Sequence, residues 1–415
     1  MKNDKSELFF INEQTLENLE NEDIDDDLMQ YLINTGMIPG EKKPVDASQF
    51  QLEYFEFDPD CTHLSAPIVA GIEVTHACNL NCLHCSVKGG ERLPNELTTG
   101  QIMRLYDEWA DMRVFKVTVS GGEPLLREDI LEILAYGDEL NLRQFLLNNG
   151  SLMTEEIADQ IPQSVRFGIS IDGHEKTHDS IRGRGAYRKA AQAIELLKRK
   201  GRRVGIDITM SKINVDEVAD VTLHWLQRGV RVTLNPAEPF GRGCEHKEIL
   251  LTEEDAEQFI EARKLKIQWY KTLNREKYGG SHPLSVDDLG ELFHRAFLSC
   301  QGAKLDTWVR YDGNVYPCAS TSALGAFCMG NLRDTSFREM WEKSENAEKF
   351  RSIKKDSFSN CSTCNVTDVC NFRCPPLSHV LHGDFTVCGS SKFMKRVLKI
   401  AKEQRLTDII YREES

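Results

Sequence analysis

From residue 67 onward, strand-like runs alternate with amphipathic helical stretches, and this alternation limits the possible folds more than any other feature. The strand-like runs are Val69–Val74, Val114–Val119, Gln144–Leu147, Val165–Ile171, Val204–Thr209 and Val230–Leu234. Between them, Thr98–Asp111, Arg127–Glu139, Tyr187–Lys200 and Val215–Arg228 place apolar residues at helical spacing. Strand–helix units in series build a parallel sheet with right-handed crossovers, so the fold class is α/β. Six units fall short of a closed eight-stranded barrel, so an open, partial (β/α)6 barrel is expected.

This core is expected to span 67–245, with a helical bridge at 246–299. A loop-rich segment follows at 300–390, where Tyr311-Asp312-Gly313-Asn314 reads as a hairpin turn. Residues 391–415 contain a basic amphipathic helix, Phe393–Glu403. Ahead of the core, 1–60 reads as a small α/β segment and a linker: a short strand at Leu8–Asn12, then helices, the last from Asp26 to Thr35 with Gly36 as its stop.

The net charge of −14 argues against non-specific nucleic-acid binding, which needs cations to replace counterions. No apolar run is long enough for a membrane span, and Met1–Leu8 has no apolar signal region, so a cytoplasmic protein is expected. In that compartment disulfides are disfavoured, and thirteen cysteines point to metal ligation.

Three of them form a C-x3-C-x2-C group, Cys78, Cys82 and Cys85, directly after the first strand. A 4Fe–4S cubane normally takes four thiolates. Three leave one iron open to chelate an amine and a carboxylate. A zinc site completed by His76 or His84 is the alternative for this loop taken alone. The second strand ends in Gly121-Gly122-Glu123-Pro124, the third in Asn148-Asn149-Gly150, and the fourth in Ser170-Ile171-Asp172-Gly173, followed by His178 and Arg182. Strand C-termini are where barrel enzymes build their sites.

The cysteine spacing with the Gly-Gly-Glu-Pro turn resembles the radical S-adenosylmethionine (SAM) superfamily. The resemblance implies that Gly121, Gly122, Glu123 and Pro124 hold the SAM amino group, with Glu123 accepting from the ammonium. It implies a ribose contact for Ser170 and a carboxylate partner in Arg182. His84 either packs on the adenine or stands in solvent, and Asp172 and His178 either brace the loop or touch SAM.

After residue 300 come Cys300, Cys318, Cys361, Cys364, Cys370, Cys374 and Cys388. This string resembles the SPASM extension, which binds auxiliary 4Fe–4S clusters, so three clusters are implied. By that resemblance Cys361, Cys364, Cys370 and Cys388 hold an outer cluster, and Cys300, Cys318 and Cys374 an inner one. The inner fourth ligand is Cys328 or a substrate thiolate. Cys61 and Cys244 are taken as structural or free thiols.

The chain as a whole resembles thioether-forming peptide maturases of the sactipeptide and ranthipeptide kind, including the freyrasin type that links cysteine to aspartate. Phe9–Glu13 and Leu32–Ile38 resemble part of a leader-binding peptide-recognition element, or else form an extension packed on the barrel. The implied partners are a ribosomally made precursor peptide with its leader and an electron donor such as flavodoxin or ferredoxin. Joining carbon to sulfur is an oxidation, so an electron must leave, and auxiliary clusters can accept it. A sulfatase-maturing enzyme, a maturase forming carbon–carbon bonds, a peptide epimerase and a non-catalytic iron–sulfur scaffold are the competing readings.

Overall fold

The alternating runs become six parallel strands: β1 (Val69–Glu73), β2 (Lys116–Ser120), β3 (Arg143–Asn148), β4 (Arg166–Ser170), β5 (Val204–Met210) and β6 (Arg231–Pro236). The structure, a computed structural model, describes residues 63–278, 300–354, 357–358, 361–366, 370, 374–388 and 391–404. The expected segment at 1–60 therefore lies outside the described residues.

Each strand pairs in parallel with its sequence neighbour, for example Glu73 beside Ser120 and Ser170 beside Asp207. The helices between them are α1 (Thr99–Asp111), α2 (Ile130–Glu139), α3 (Glu155–Gln160), α4 (Glu175–Arg182), α5 (Ala186–Arg199) and α6 (Val218–Leu226). Their apolar stripes meet the sheet. α1 starts on a Thr98–Gln101 capping box and buries Ile102, Leu105, Tyr106 and Trp109, while α5 buries Ala190, Ala193, Ile194 and Leu197. After β6 the chain makes short 3-10 turns, including Gly241–Cys244, and enters the long helix α7 (Ala256–Tyr278).

The sheet does not end with the six units. β7 (Asp306–Val309) adds in parallel to β1, placing Val69 beside Asp306 and Ile72 beside Val309. β8 (Asn314–Tyr316) returns antiparallel through the expected hairpin, and β9 (Gly330–Asn331) pairs with it. The strand order is β6-β5-β4-β3-β2-β1-β7-β8-β9, which leaves β6 and β9 as edges. The barrel is thus open, and β1, whose C-terminus carries the first cysteine group, lies inside the sheet.

Five helices complete the described chain: α8 (Ala319–Leu324), α9 (Phe337–Lys343), α10 (Glu345–Arg351), α11 (Pro375–His382) and α12 (Lys392–Glu403). The larger of the chain's two compact units takes Thr62–Lys266 and Leu298–Tyr411, so every described candidate site residue belongs to it. Among the described residues no helix is long and apolar enough to cross a membrane.

Candidate functional site

The cysteine loop is fixed by its neighbours at the C-terminal end of the sheet. Gly122 N–H donates to the Thr75 carbonyl at 2.8 Å and Glu123 N–H to the Ala77 carbonyl at 2.7 Å. A Cβ on Gly122 would lie 2.2 Å from the Ala77 carbonyl oxygen, so only glycine lets the turn after β2 pass this close. Thr75 Oγ1 and His76 N–H both donate to the buried Glu96 carboxylate, at 2.9 and 2.8 Å. On the β3 side, Asn149 donates to Asn79, which donates to Ser151. On the α4 side, Leu83 N–H donates to the Ile181 carbonyl at 3.1 Å.

Within this frame the Cys78, Cys82 and Cys85 thiols lie close enough for their charges to act on one another. Burial pushes Cys78 up to about 11, with Cys82, Glu123 and Cys85 adding to the shift. Burial raises Cys82 as well, against the opposing pull of Arg182 and Arg242. Neutral thiols packed together lose their protons to a cationic centre, as iron–sulfur ligands do. The donor set therefore fits a cluster.

The surrounding polar groups are braced more tightly than sequence alone indicates. Glu123 is fully buried, and its two oxygens accept from Leu125 N–H at 3.1 Å and Asn149 N–H at 2.8 Å. Burial pushes its carboxyl up to about 7 despite those two bonds, so an adjacent ammonium would favour the ionised form. Arg182 donates from Nε and Nη2 to the buried Asp172, at 2.5 and 3.2 Å, while Nη1 lies 3.9 Å from Cys82 Sγ. His84 Nε2 meets the same carboxylate at 2.7 Å with its side chain 6% exposed, so it does not stand in solvent.

Asp172 also accepts from Thr209 N–H at 2.9 Å. Burial alone would raise its carboxyl, but Arg182 and His84 hold it well below the usual carboxylate range. His178 is kept neutral by burial, lowered to about 4, and its Nδ1 accepts from Asp172 N–H at 3.1 Å. Asp172 and His178 thus brace the loop. Ser170 ends β4 beside Asp207, whose buried carboxyl rises to about 6.

Sequence reasoning missed Arg242, which reaches the cysteine loop from the turn after β6. Its only signal in the sequence is a Gly-Arg-Gly run shortly after the sixth strand. Cys244 itself is exposed, and its Sγ donates to the Pro239 carbonyl at 2.7 Å.

Among the later cysteines, Cys300, Cys318 and Cys374 act on one another. Cys318 and Cys374 are the N-caps of α8 and α11, and Cys300 precedes β7. The charge of Cys300 acts on Cys318, and those of Cys300 and Cys318 act on Cys374, so the three share one neighbourhood. Burial pushes Cys318 up to about 12 and raises Cys374 strongly. Cys328 Sγ donates to the Gly330 carbonyl at 3.5 Å and also meets the Tyr316 hydroxyl. Cys361 and Cys364 share one turn, with Cys364 N–H donating to the Cys361 carbonyl at 3.3 Å. Cys364 and Cys370 pack against Val366 and against Leu398 and Ala401 of α12. Cys388 is half-buried.

An open parallel barrel with a three-thiol loop on its first strand and a glycine turn on its second defines a class, and comparison with known proteins agrees. The radical SAM superfamily profile matches residues 72–224, and that of an iron–sulfur cluster-binding domain, SPASM, matches 300–365. The AdoMet-dependent heme synthase of Methanosarcina barkeri is 32% identical over 77% of this chain and 95% of its own. The mycofactocin maturase MftC of Mycolicibacterium smegmatis is 29% identical over 75% of this chain and 79% of its own. Streptococcus suis SuiB, solved bound to its precursor peptide SuiA, superposes with a TM-score of 0.62 at 16% identity, covering 80% of this chain and 76% of that one.

The chain belongs to the radical SAM superfamily. Within it, this is an enzyme with a C-terminal SPASM domain, whose cofactors are SAM and more than one 4Fe–4S cluster.

Proposed function

We propose that this enzyme matures a ribosomally made precursor peptide by forming cysteine thioether crosslinks, with aspartate as one candidate acceptor. The observation that carries the reading is that the charges of Cys300, Cys318 and Cys374 act on one another, while the Cys328 thiol is hydrogen-bonded to the Gly330 carbonyl. Three protein thiols leave a position at which a substrate cysteine can be held. Similarity to a maturase and to a peptide-bound structure supports a peptide as substrate.

When bound, SAM and its cluster supply the one-electron chemistry that removes hydrogen from unactivated carbon. In this reading Cys78, Cys82 and Cys85 hold that cluster. Glu123 accepts from the SAM ammonium, Ser170 from the ribose, and Arg182 faces the carboxylate from its seat on Asp172. Cys361, Cys364, Cys370 and Cys388 hold the outer cluster. The exposed Lys392, Lys395, Lys399 and Lys402 run along α12, whose inner face packs on Cys364 and Cys370. That stripe suits an acidic electron donor such as flavodoxin or ferredoxin.

The test is mass spectrometry of a cysteine-rich precursor peptide, encoded beside the gene, after anaerobic incubation with enzyme, SAM and reductant. The expected product has lost two hydrogens per crosslink and resists cysteine alkylation. The 32%-identical heme synthase favours a second reading, an iron porphyrin as substrate. Conversion of an iron porphyrin beside an unchanged peptide overturns the first reading.

Cys328→Ala separates the two ways of completing the inner cluster. The variant is expected to keep its full iron content and its crosslinking activity. In cluster spectra, peptide with intact cysteines should perturb the signal where a Cys→Ser peptide does not. Loss of about four irons, one cubane, would make Cys328 the fourth ligand.

A further inference from the structure

The turn after β6 closes over the cysteine loop, and Arg242 makes most of the contact. Its backbone N–H donates to the Cys85 carbonyl at 2.8 Å. Its Nε donates to the Cys82 carbonyl at 2.9 Å, and Nη1 to the Gly89 carbonyl at 3.3 Å. One side chain thereby ties two points of the loop, and the backbone ties a third. The preceding Gly241 has φ +53°, and a Cβ there would lie 2.3 Å from the carbonyl oxygens of both Cys85 and Ser86. An exposed ion pair, Lys88 with Glu245 at 2.5 Å, adds a last stitch.

Two further observations give Arg242 more than a bracing role. Its Nη2 is buried and has no hydrogen-bond partner among the described residues, which is uncommon for a cationic donor. Its Nε bond also seats the guanidinium at Cys82, whose Sγ lies 3.9 Å from Arg182 Nη1. Cys82 is thus influenced by two guanidinium groups, one from the end of α4 and one from the turn after β6.

We propose that Arg242 is a positioning residue that holds the cysteine loop and donates its unmet N–H to cluster sulfur on the Cys82 side. This rests on the reading that Cys78, Cys82 and Cys85 hold the SAM-binding cluster. A cluster gains one negative charge when it takes an electron from a donor. A nearby cationic hydrogen-bond donor stabilises that reduced form and raises the reduction potential.

The experiment is a redox titration of the full-length, three-cluster protein, followed by electron paramagnetic resonance, in wild type, Arg242→Gln and Arg242→Lys. Arg242→Gln is expected to keep its iron and to shift the SAM-binding cluster to a more negative midpoint, leaving both auxiliary midpoints in place. Arg242→Lys, which keeps the charge but not the fork of donors, should fall between. An unchanged midpoint in Arg242→Gln with full iron overturns the proposal. Should Arg242→Gln fail to assemble its cluster, Arg242→Lys decides: a midpoint more negative than wild type supports the proposal and a wild-type midpoint overturns it. If a Cys78, Cys82 and Cys85 triple alanine variant keeps every cluster signal, the assignment of the loop has failed, and this proposal falls with it.

Discussion

Replacing Cys78, Cys82 and Cys85 together with alanine is expected to remove about a third of the iron, one cubane of three, and to abolish SAM cleavage. The three thiols are held to each other by a loop anchored on five sides: the Gly121-Gly122 turn, Glu96, Asn149, Ile181 and Arg242. Removing the sulfurs leaves that frame intact, so the remaining iron should stay in place. Gly122→Ala is the complementary change. It keeps all three thiols but forces a Cβ to within 2.2 Å of the Ala77 carbonyl oxygen, where backbone would have to move. It should cost the same third of the iron without removing a ligand. Iron and acid-labile sulfide analysis after anaerobic reconstitution, with SAM cleavage followed by chromatography, checks both variants. Full iron in the triple variant would show that these thiols hold no cluster.

Much of this site was legible because its residues sit in runs. The apolar segments that became β1–β6 were readable to within a few residues, and the motifs at their ends fell on one edge of the sheet because every strand is parallel. What escaped notice depends on long-range pairing. β7, Asp306–Val309, is one arm of the hairpin read at Tyr311–Asn314, but its parallel register against β1, which carries that hairpin into the main sheet, has no local signature. Trp308 on β7 donates to the buried Glu73 at 2.7 Å, a contact between residues 235 apart with no local signature. Arg242 was hidden for the same reason, since its partners lie 160 and 153 positions away. α9 and α10 were also missed. They are short, seven residues each, and bury only three side chains apiece (Phe337, Met340 and Trp341; Ala347, Phe350 and Arg351), too few for a helical stripe to stand out. The pairing of Arg182 with Asp172 was half visible: both were candidates, but a sequence cannot show that they face each other.

That pairing sets the outcome for Arg182→Ala, which should lose about 3–5 kcal/mol of folding stability in addition to weakening SAM binding. Asp172 has no solvent exposure, and its two main charge partners are Arg182 and His84. Its carboxyl is depressed in the folded state, so it contributes stability that is fully present above the unfolded value near 3.8. At neutral pH that contribution is complete, and removing Arg182 leaves the buried charge only His84 and the Thr209 N–H to meet it. The sign can be tested in two ways. Lowering the pH should shrink the gap between variant and wild type, because a protonated Asp172 no longer needs its partner. Adding Asp172→Asn to Arg182→Ala should recover part of the lost stability, a coupling that two independent sites would not show. Anaerobic denaturant unfolding measures stability, and equilibrium binding measures SAM affinity. A direct SAM contact at Arg182 is worth roughly 1.5–3 kcal/mol, about ten- to a hundredfold in affinity. The double variant separates the two roles. If restored stability also restores SAM affinity, Arg182 acts by holding the loop. If affinity stays low while stability returns, Arg182 itself meets the ligand.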